Sequence, residues 1–275
     1  YEKDLNDCLK KTDNDFLEDG LSKKLINDNL IYMALKKIDF RDKDWEQFLT
    51  LIRAKIAHKI SKSKHLLTES NISFIFCLAE QCFLNEYVYS LTENEKLSVN
   101  KIMNKCIKGD LNEINISILA CYKPLYKLLD EIPLLKDFKS SKESFNQLIK
   151  LQIKEPLEEV KITKNIKRVG SIKDNVSKKV KSQYEINPYP RWRYSYNPKQ
   201  EKNSSTQIIN NDIFPNYIKC KSEANPLRVL IAGCGTGSHI FLAQRYKNAK
   251  ITGIDLSSTS LAYAQRKINE NGIKN

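Results

Sequence analysis

The amino-acid sequence predicts an α + α/β protein, in which an all-helical N-terminal domain is followed by the beginning of a parallel α/β domain. Three observations lead to this prediction. Apolar residues recur at three and four positions from about residue 20 to residue 153, which is the spacing of one helix face. From residue 155 to about residue 203 the apolar residues thin out, and lysines and then aromatic residues accumulate. After Pro226 a short apolar run leads into three closely spaced glycines, as expected of a strand followed by a tight turn.

These changes of pattern predict three parts along the chain. They are a helical domain at residues 1–153, a basic and aromatic connector at residues 154–204, and the N-terminal part of a second domain at residues 205–275.

The first predicted helix carries Leu25, Leu30, Met33, Ala34 and Ile38 on one face. The second carries Trp45, Phe48, Leu49, Ile52, Ile56 and Ile60, and the acidic residues Asp42 and Asp44 mark its beginning. The third, from about Glu69 to Leu91, is the most apolar, with a broad stripe made of Ile72, Ile75, Phe76, Ala79, Cys82 and Phe83. We therefore expect the third helix at the centre of a helical bundle.

Terminal signals predict the remaining helices of this half. One spans residues 93–108 and is ended by Gly109, and the next spans residues 111–130 and is stopped by Pro133. A further helix begins at about Ser141, because Ser140 and Glu143 have the spacing of a capping box. No fixed internal period is visible, so a helical repeat array is not predicted.

The connector is predicted to be an ordered, extended segment at its aromatic end. Residues 183–194, QYEINPYPRWRY, contain two prolines and four aromatic residues. Each proline disfavours the helical conformation in the residue before it, so we expect this stretch to be extended and stiff.

The C-terminal segment has the order of a nucleotide-binding βαβ unit. A strand is predicted at residues 227–232, followed by the glycine turn 233–237, a helix from Ser238 to about Tyr246 and a second strand at residues 250–254. Glycine allows a tight turn and a close approach of the backbone to a ligand. Asp255 then stands at the end of the second strand, where a carboxylate can accept hydrogen bonds from both hydroxyls of a ribose. Another helix begins at about Leu261.

The glycine spacing bears on which nucleoside is bound. A dinucleotide fingerprint requires its third glycine or alanine at the position held by Ser238, whereas the third glycine here comes earlier, at Gly237. This spacing favours a methyl donor over a nicotinamide or flavin dinucleotide. A purely structural glycine turn is the alternative that binds no ligand.

These residues carry a resemblance to a known family. The segments VLIAGCGTG at 229–237 and ITGIDLS at 251–257 resemble the donor-binding motifs of class I S-adenosylmethionine-dependent methyltransferases, which have a Rossmann-like fold. The resemblance implies that the glycine turn passes under the donor and that the carboxylate after the second strand holds its ribose. It assigns to the cofactor Ala232, Gly233, Cys234, Gly235, Gly237, Asp255 and Leu256. Cys234 then serves through its backbone rather than as a nucleophile. Many family members have an acidic residue where this chain has Ile231 or Ala232, so the contact to the methionyl end stays unassigned.

A narrower resemblance extends over about 200 residues. The segments at 74–93, 183–192 and 255–270 are similar to bacterial methyltransferases of unassigned substrate that often carry N-terminal tetratricopeptide repeats. This resemblance implies no particular methyl acceptor. In and around the NPYPRW segment, which is dense in aromatic residues just before the βαβ unit, Tyr184, Tyr189, Arg191, Trp192 and Tyr194 could line the site as a lid or wall. The alternative is that they pack the helical domain onto the sheet, which we slightly favour for Trp192. His239, just after the glycine turn, is expected to cap or pack its helix, and a contact to substrate is the alternative.

Charge and composition leave few other functions open. Hydrophobic residues make up 41% and charged residues 29% of the 275 residues, as in soluble globular proteins, and the longest apolar stretch is too short to span a membrane. The net charge of +13 arises mostly from scattered lysines, which favours a solvated surface over nucleic-acid binding. The densest basic segment, 161–181, lacks an RNA-binding motif and is interpreted as a solvated linker.

The seven cysteines include no C-x-x-C pair, and with the three histidines they offer no zinc-ligand spacing. We therefore predict reduced thiols in a cytoplasmic protein and no bound metal.

The predicted function is methyl transfer from S-adenosylmethionine to an unknown acceptor. Because acceptor and catalytic residues of the family usually follow later strands, we expect them beyond Asn275 and expect these 275 residues alone to be inactive. The chain begins with Tyr1, so we expect its natural N-terminus to lie upstream. The alternatives are a nicotinamide- or flavin-dependent oxidoreductase with the same βαβ unit, and a protein-interaction module built on the helical half.

Overall fold

The computed structural model of the chain describes residues 20–38, 40–62, 67–194, 202–219 and 226–273, together with Lys3, Leu5 and Asp7. The chain forms two compact units, Tyr1–Leu157 and Glu158–Asn275. The first unit is helical, and the second contains a parallel βαβ unit. None of the helices within the described residues is long and apolar enough to cross a membrane.

Among the described residues from 20 to 163, the α-helices are α1 (Gly20–Ile26), α2 (Asn29–Lys37), α3 (Lys43–Lys62), α4 (Glu69–Leu84), α5 (Glu93–Ile107), α6 (Glu113–Ala120), α7 (Glu143–Ile149) and α8 (Glu155–Thr163). Two 3₁₀ helices lie between α6 and α7, at Leu125–Leu128 and Pro133–Asp137. A π-helical segment, Lys150–Lys154, joins α7 to α8.

The first predicted helix is in fact two helices. The chain leaves α1 at Asn27, and Asp28 caps α2 by accepting a hydrogen bond from the backbone N–H of Leu30 (2.7 Å). The break changes which side chains are buried. Those of Ile31 and Leu35 are buried, whereas the predicted core residues Leu30, Met33 and Ile38 are each more than half exposed. The prediction of one continuous helix face is therefore wrong.

The second and third predicted helices are confirmed as α3 and α4, although α4 ends at Leu84 instead of Leu91. The central position of α4 is also confirmed, since every side chain from Phe74 to Leu84 is buried. The helix ends in a Schellman motif, in which the N–H of Tyr87 donates to the carbonyl of Cys82 (2.8 Å). Glu86 and Tyr87 have positive φ, which ends the helix without a glycine.

The helix predicted at residues 93–108 is confirmed as α5, with a capping box formed by Thr92 and Glu95. The helix predicted at residues 111–130 is too long, because α6 ends at Ala120 and the chain turns before Pro124. The predicted capping box at Ser140 is also wrong. The hydroxyl of Ser140 instead donates to Glu113, and α7 begins without a side-chain cap.

A fully buried amide ties the π-helical segment into the first unit. The amide nitrogen of Gln152 donates to the carbonyls of Ala79 (2.9 Å) and Ala120 (3.0 Å). Its oxygen accepts hydrogen bonds from the N–H of Leu125 (3.3 Å) and the hydroxyl of Tyr87 (3.2 Å). The buried side-chain amide therefore has a partner for both its nitrogen and its oxygen.

A buried ion pair also lies in this unit. The guanidinium of Arg53 donates to Glu95 (3.0 Å) and to the carbonyl of Ser90 (2.6 Å), and the side chains of both partners of the ion pair are nearly fully buried. The hydroxyl of Tyr122 donates to the same carboxylate (2.6 Å). Burial raises the pKa of Tyr122 well above its ordinary value, so the phenol stays protonated and remains a donor.

The elements of the second unit after α8 are α9 (Asn175–Ile186), α10 (Ser205–Asp212), β1 (Leu227–Ala232), α11 (Ser238–Ala243), β2 (Ala249–Ile254) and α12 (Ser258–Glu270). The strands are parallel, with Leu227 opposite Ala249 and Ala232 opposite Ile254. Both predicted strands are confirmed, but half-buried and exposed side chains alternate along β1, and Leu230 is 62% exposed.

Three features of this unit differ from the sequence predictions. Gln183–Ile186 belong to α9, so the extended stretch begins at Asn187 instead of Gln183. The helix after the glycine turn ends at Ala243 instead of about Tyr246. The sequence analysis missed two helices, α9, part of which it interpreted as a solvated linker, and α10, whose capping box is formed by Ser204 and Gln207. The predicted connector residues 195–201 lie outside the described residues.

Candidate functional site

The glycine turn is anchored on the end of the second strand. The N–H groups of Gly233 and Cys234 both donate to the carbonyl of Ile254 (2.8 and 3.0 Å). The turn closes with a hydrogen bond from the N–H of Gly237 to the carbonyl of Cys234 (2.9 Å). The loop after β1 and the loop after β2 are therefore held side by side at the carboxyl edge of the two-stranded sheet, where ligands of open α/β sheets bind.

The three glycines of the turn have different structural roles. All have positive φ, at 68° for Gly233, 50° for Gly235 and 91° for Gly237. A Cβ at Gly233 or Gly235 would meet no atom of the protein within 4 Å, so both α-carbons face open space. A Cβ at Gly237 would lie 2.7 Å from the Cβ of Ala264 on α12. The first two positions thus leave room for a ligand, whereas the third allows a helix to pack.

Asp255 faces the turn from the end of β2. One oxygen of its carboxylate accepts a hydrogen bond from the N–H of Gly235 (2.8 Å), and the other accepts one from the N–H of Ser257 (2.9 Å). The side chain is half-buried. Because a carboxylate has about four lone-pair positions, these bonds orient it and leave it able to accept two more hydrogen bonds. A pair of neighbouring hydroxyl groups is a suitable donor set.

The remaining predicted cofactor residues flank these groups. Ala232 at the end of β1 and Leu256 after Asp255 are exposed. The side chain of Cys234 is buried, and burial together with the nearby charge of Asp255 raises the pKa of its thiol to about 11. The thiol is thus protonated near neutral pH and is a poor nucleophile. His239 is exposed in the first turn of α11, so the expectation that it packs is wrong.

The aromatic segment contacts the glycine turn directly. The indole N–H of Trp192 donates to the carbonyl of Thr236 (3.1 Å), and the hydroxyl of Thr236 donates to the carbonyl of Pro190 (2.7 Å). The indole ring also packs edge-on against Tyr263 of α12, with ring centroids 5.9 Å apart. Tyr263 in turn donates its hydroxyl to the carbonyl of Trp192. These contacts pack Trp192 within the second unit, and a role of Trp192 in packing the helical domain onto the sheet stays a prediction.

The other predicted lid residues are placed differently. Arg191 is directed towards Glu159 (3.7 Å), whose carboxylate also accepts a hydrogen bond from Arg266 of α12 (2.8 Å). Tyr184 and Tyr189 are 40% and 37% exposed as whole residues. A lid function for Tyr184, Tyr189, Arg191 and Trp192 stays a prediction.

Several residues that build this site were missed by the sequence analysis. Thr236, Tyr263 and Glu185 each connect segments that are more than 45 positions apart in sequence. Such contacts carry no local periodic signal.

Among the described residues, no group of histidine, cysteine and acidic side chains could hold a metal ion. The described cysteines, Cys77, Cys82, Cys106, Cys121 and Cys234, are buried free thiols. Cys8, His65 and Cys220 lie outside the described residues.

Comparison with known proteins points to one family for this region. Residues 229–275 match the family model of a methyltransferase domain. The match begins within β1, at Val229, and covers the glycine turn, β2, Asp255 and α12. The fold is a mostly helical N-terminal region followed by a small parallel βαβ unit, and this unit lies in the segment that matches the methyltransferase domain. Neither the curated proteins nor the solved structures contain a match to the chain.

Proposed function

We propose that the protein is an S-adenosylmethionine-dependent methyltransferase and that the glycine turn and Asp255 form its donor-binding site. The observation that carries this proposal is that open space at the glycine turn lies beside the carboxylate of Asp255. The α-carbons of Gly233 and Gly235 face open space, and the carboxylate of Asp255 hydrogen-bonds to the N–H of Gly235 and so lies at the edge of that space. The match of residues 229–275 to a methyltransferase domain supports the same conclusion.

The residues present fit this donor. The Cβ-free backbone at Gly233 and Gly235 allows a nucleoside to approach the turn closely, and Asp255 has lone pairs left for both ribose hydroxyls. Ala232 and Leu256 provide exposed apolar atoms on either side. When bound, S-adenosylmethionine would supply a methyl group on a sulfonium, and an acceptor nucleophile would bond to the methyl carbon in line as the carbon–sulfur bond breaks and S-adenosylhomocysteine leaves. The residues of this chain bind and orient the donor, which is how positioning contributes to such a reaction.

The proposal is tested by ligand-dependent thermal stability of the 275-residue chain. S-adenosylhomocysteine, the product form of the donor, and NAD⁺ are compared at equal concentrations. A ligand at 100 times its Kd stabilises the state that binds it by about 2.7 kcal/mol. We expect stabilisation by S-adenosylhomocysteine and none by NAD⁺. Stabilisation by NAD⁺ alone would support the oxidoreductase alternative, and stabilisation by neither ligand would contradict donor binding.

A variant separates site binding from nonspecific binding. Asp255→Asn keeps the size of the side chain but removes its charge and one acceptor oxygen. We expect it to abolish most of the stabilisation by S-adenosylhomocysteine. Asp212→Asn is the matched control, because Asp212 is an exposed acid on α10 that pairs with Arg245. The control should respond to the ligand as the unsubstituted chain does.

A further inference from the structure

A single segment of the second unit contacts both sides of the candidate donor site. We call residues 184–193 the brace. Its first end lies beside the turn that follows Asp255. There the carbonyl of Tyr184 accepts hydrogen bonds from the hydroxyls of Ser257 and Thr259, each at 3.0 Å.

The carboxylate of Glu185 strengthens this first contact. It accepts hydrogen bonds from the N–H groups of Ser258 (2.9 Å) and Thr259 (3.4 Å), and from the hydroxyl of Ser258 (2.9 Å). These N–H groups belong to the first turn of α12, where backbone donors lack partners within the helix and a negative charge is favoured. Glu185 therefore fixes the start of α12, three residues after Asp255.

The other end of the brace holds the glycine turn. Thr236 exchanges two hydrogen bonds with it, one from its hydroxyl to the carbonyl of Pro190 and one to its own carbonyl from the indole of Trp192. Thr236 is buried, so these bonds are shielded from water. The brace is also fastened to α12, because Tyr263 donates to the carbonyl of Trp192 and Lys267 donates to the carbonyl of Arg193 (2.7 Å).

We propose that the brace sets the position of the glycine turn relative to the Asp255 turn, and that Glu185 and Trp192 are positioning residues for the methyl donor. This inference rests on the proposed function. A nucleoside donor must contact both turns at once, so its affinity depends on their separation being fixed before it binds. Both residues act through backbone groups of the two turns, at Thr236 on one side and at Ser258 and Thr259 on the other.

The first test compares two identical substitutions. The chain contains two tryptophans, Trp45 in α3 and Trp192 in the brace. Trp192→Phe keeps an aromatic ring against Tyr263 but removes the N–H that donates to Thr236. Titration calorimetry with S-adenosylhomocysteine should show a roughly 3- to 10-fold weaker Kd, the effect of one lost hydrogen bond. Trp45→Phe should leave the Kd unchanged.

The second test asks whether the two ends act together. Glu185→Gln keeps the shape of the side chain and removes its charge at the far end of the brace. If the brace acts as a unit, the effects of Glu185→Gln and Trp192→Phe on Kd are not additive in the double variant. Tyr263→Phe should also weaken binding. Its matched control is Tyr122→Phe, which removes a buried tyrosine hydroxyl from the first unit.

Amide hydrogen exchange without ligand gives a readout that does not depend on the proposed function. Glu185→Gln should increase exchange at residues 233–237, which it does not touch, as well as at residues 257–259. The proposed role of the brace is overturned if amide hydrogen exchange rises only at residues beside each substitution. It is also overturned if folded Trp192→Phe, Glu185→Gln and Tyr263→Phe chains bind S-adenosylhomocysteine as tightly as the unsubstituted chain. If the unsubstituted chain binds no S-adenosylhomocysteine, the proposed function fails and the donor-positioning role fails with it, whatever the exchange pattern shows about the brace.

Discussion

The three glycines of the turn should respond differently to alanine, and this difference is the most detailed prediction that the structure allows. Gly235→Ala places a methyl group in open space at a φ of 50°. An L-residue accepts this left-handed conformation at a cost of about 1–2 kcal/mol. The chain should therefore fold. If the methyl group occupies space needed by the donor, overpacking of about 1–3 kcal/mol weakens the Kd by about 5- to 150-fold.

Gly237→Ala should act mainly on the stability of the second unit, whereas Gly235→Ala acts mainly on donor binding. Its Cβ would lie 2.7 Å from the Cβ of Ala264 and 3.2 Å from the Cα, at a φ of 91°. Backbone strain and overpacking together should cost about 2–5 kcal/mol of the free energy of unfolding of the second unit. Adding Ala264→Gly to the Gly237→Ala chain removes the nearer of these two atoms and should restore part of the lost stability. Adding Ala264→Gly to the Gly235→Ala chain should not restore donor binding.

Gly272 provides the matched control. It has a φ of 64° with open space around its α-carbon, and it follows α12 instead of lining the turn. Gly272→Ala should therefore share the stability cost of Gly235→Ala and leave the Kd unchanged.

Stability is measured by denaturant unfolding in a Trp45→Phe background, where Trp192 is the remaining tryptophan and reports on the second unit. The Kd for S-adenosylhomocysteine is measured by calorimetry. The reasoning is refuted if Gly235→Ala and Gly272→Ala affect the Kd equally, or if Gly237→Ala is no less stable than Gly235→Ala.

Three further predictions concern single groups. Gln152→Ala should destabilise the first unit by about 2–4 kcal/mol, because it leaves buried backbone groups unpaired; an unfolding midpoint equal to that of the unsubstituted chain would contradict this. Burial raises the pKa of Glu185, but hydrogen bonds from Ser258 and Thr259, together with the charge of Lys181, lower it to a net value below its ordinary one. The stabilisation by Glu185 should be present above pH 4.5 and lost as the pH falls below this value. The difference in free energy of unfolding between the unsubstituted chain and Glu185→Gln should therefore shrink from pH 6 to pH 3, and growth of this difference would contradict the prediction. Since the pKa of Cys234 is raised to about 11, iodoacetamide at pH 8 should modify this thiol only after the chain unfolds, as detected by mass spectrometry. Rapid modification of Cys234 in the native chain would contradict this prediction.

The sequence predicted those parts of the fold that depend on local pattern. The strands β1 and β2 and the helices α3 and α5 follow from runs of apolar residues and from terminal signals such as Asp42 and Gly109. The broken helix at Asn27 and Asp28 was missed because an Asn-Asp pair within an apolar pattern can lie inside a helix or cap one. The end of α4 was missed because a Schellman motif at Glu86 uses no glycine.

The candidate site also has features that the sequence predicts and features that it does not. Spacing alone placed the glycine turn and Asp255, because a strand, a turn and a second strand are consecutive in sequence. It could not separate the roles of the glycines, since the clash at Gly237 depends on Ala264 of a later helix. Nor could it show that Glu185 caps α12, because the partners are 73 positions apart.

The central claim is that the carboxylate of Asp255 accepts hydrogen bonds from the ribose hydroxyls of a donor lying on the glycine turn. It is tested most directly by a cycle of four Kd values, for the unsubstituted chain and Asp255→Asn, each with S-adenosylhomocysteine and with its analogue lacking both ribose hydroxyls. We predict that either change alone weakens binding at least 10-fold, the loss expected for hydrogen bonds to a charged group, and that making both changes is little worse than making one. Independent, additive effects would contradict the account.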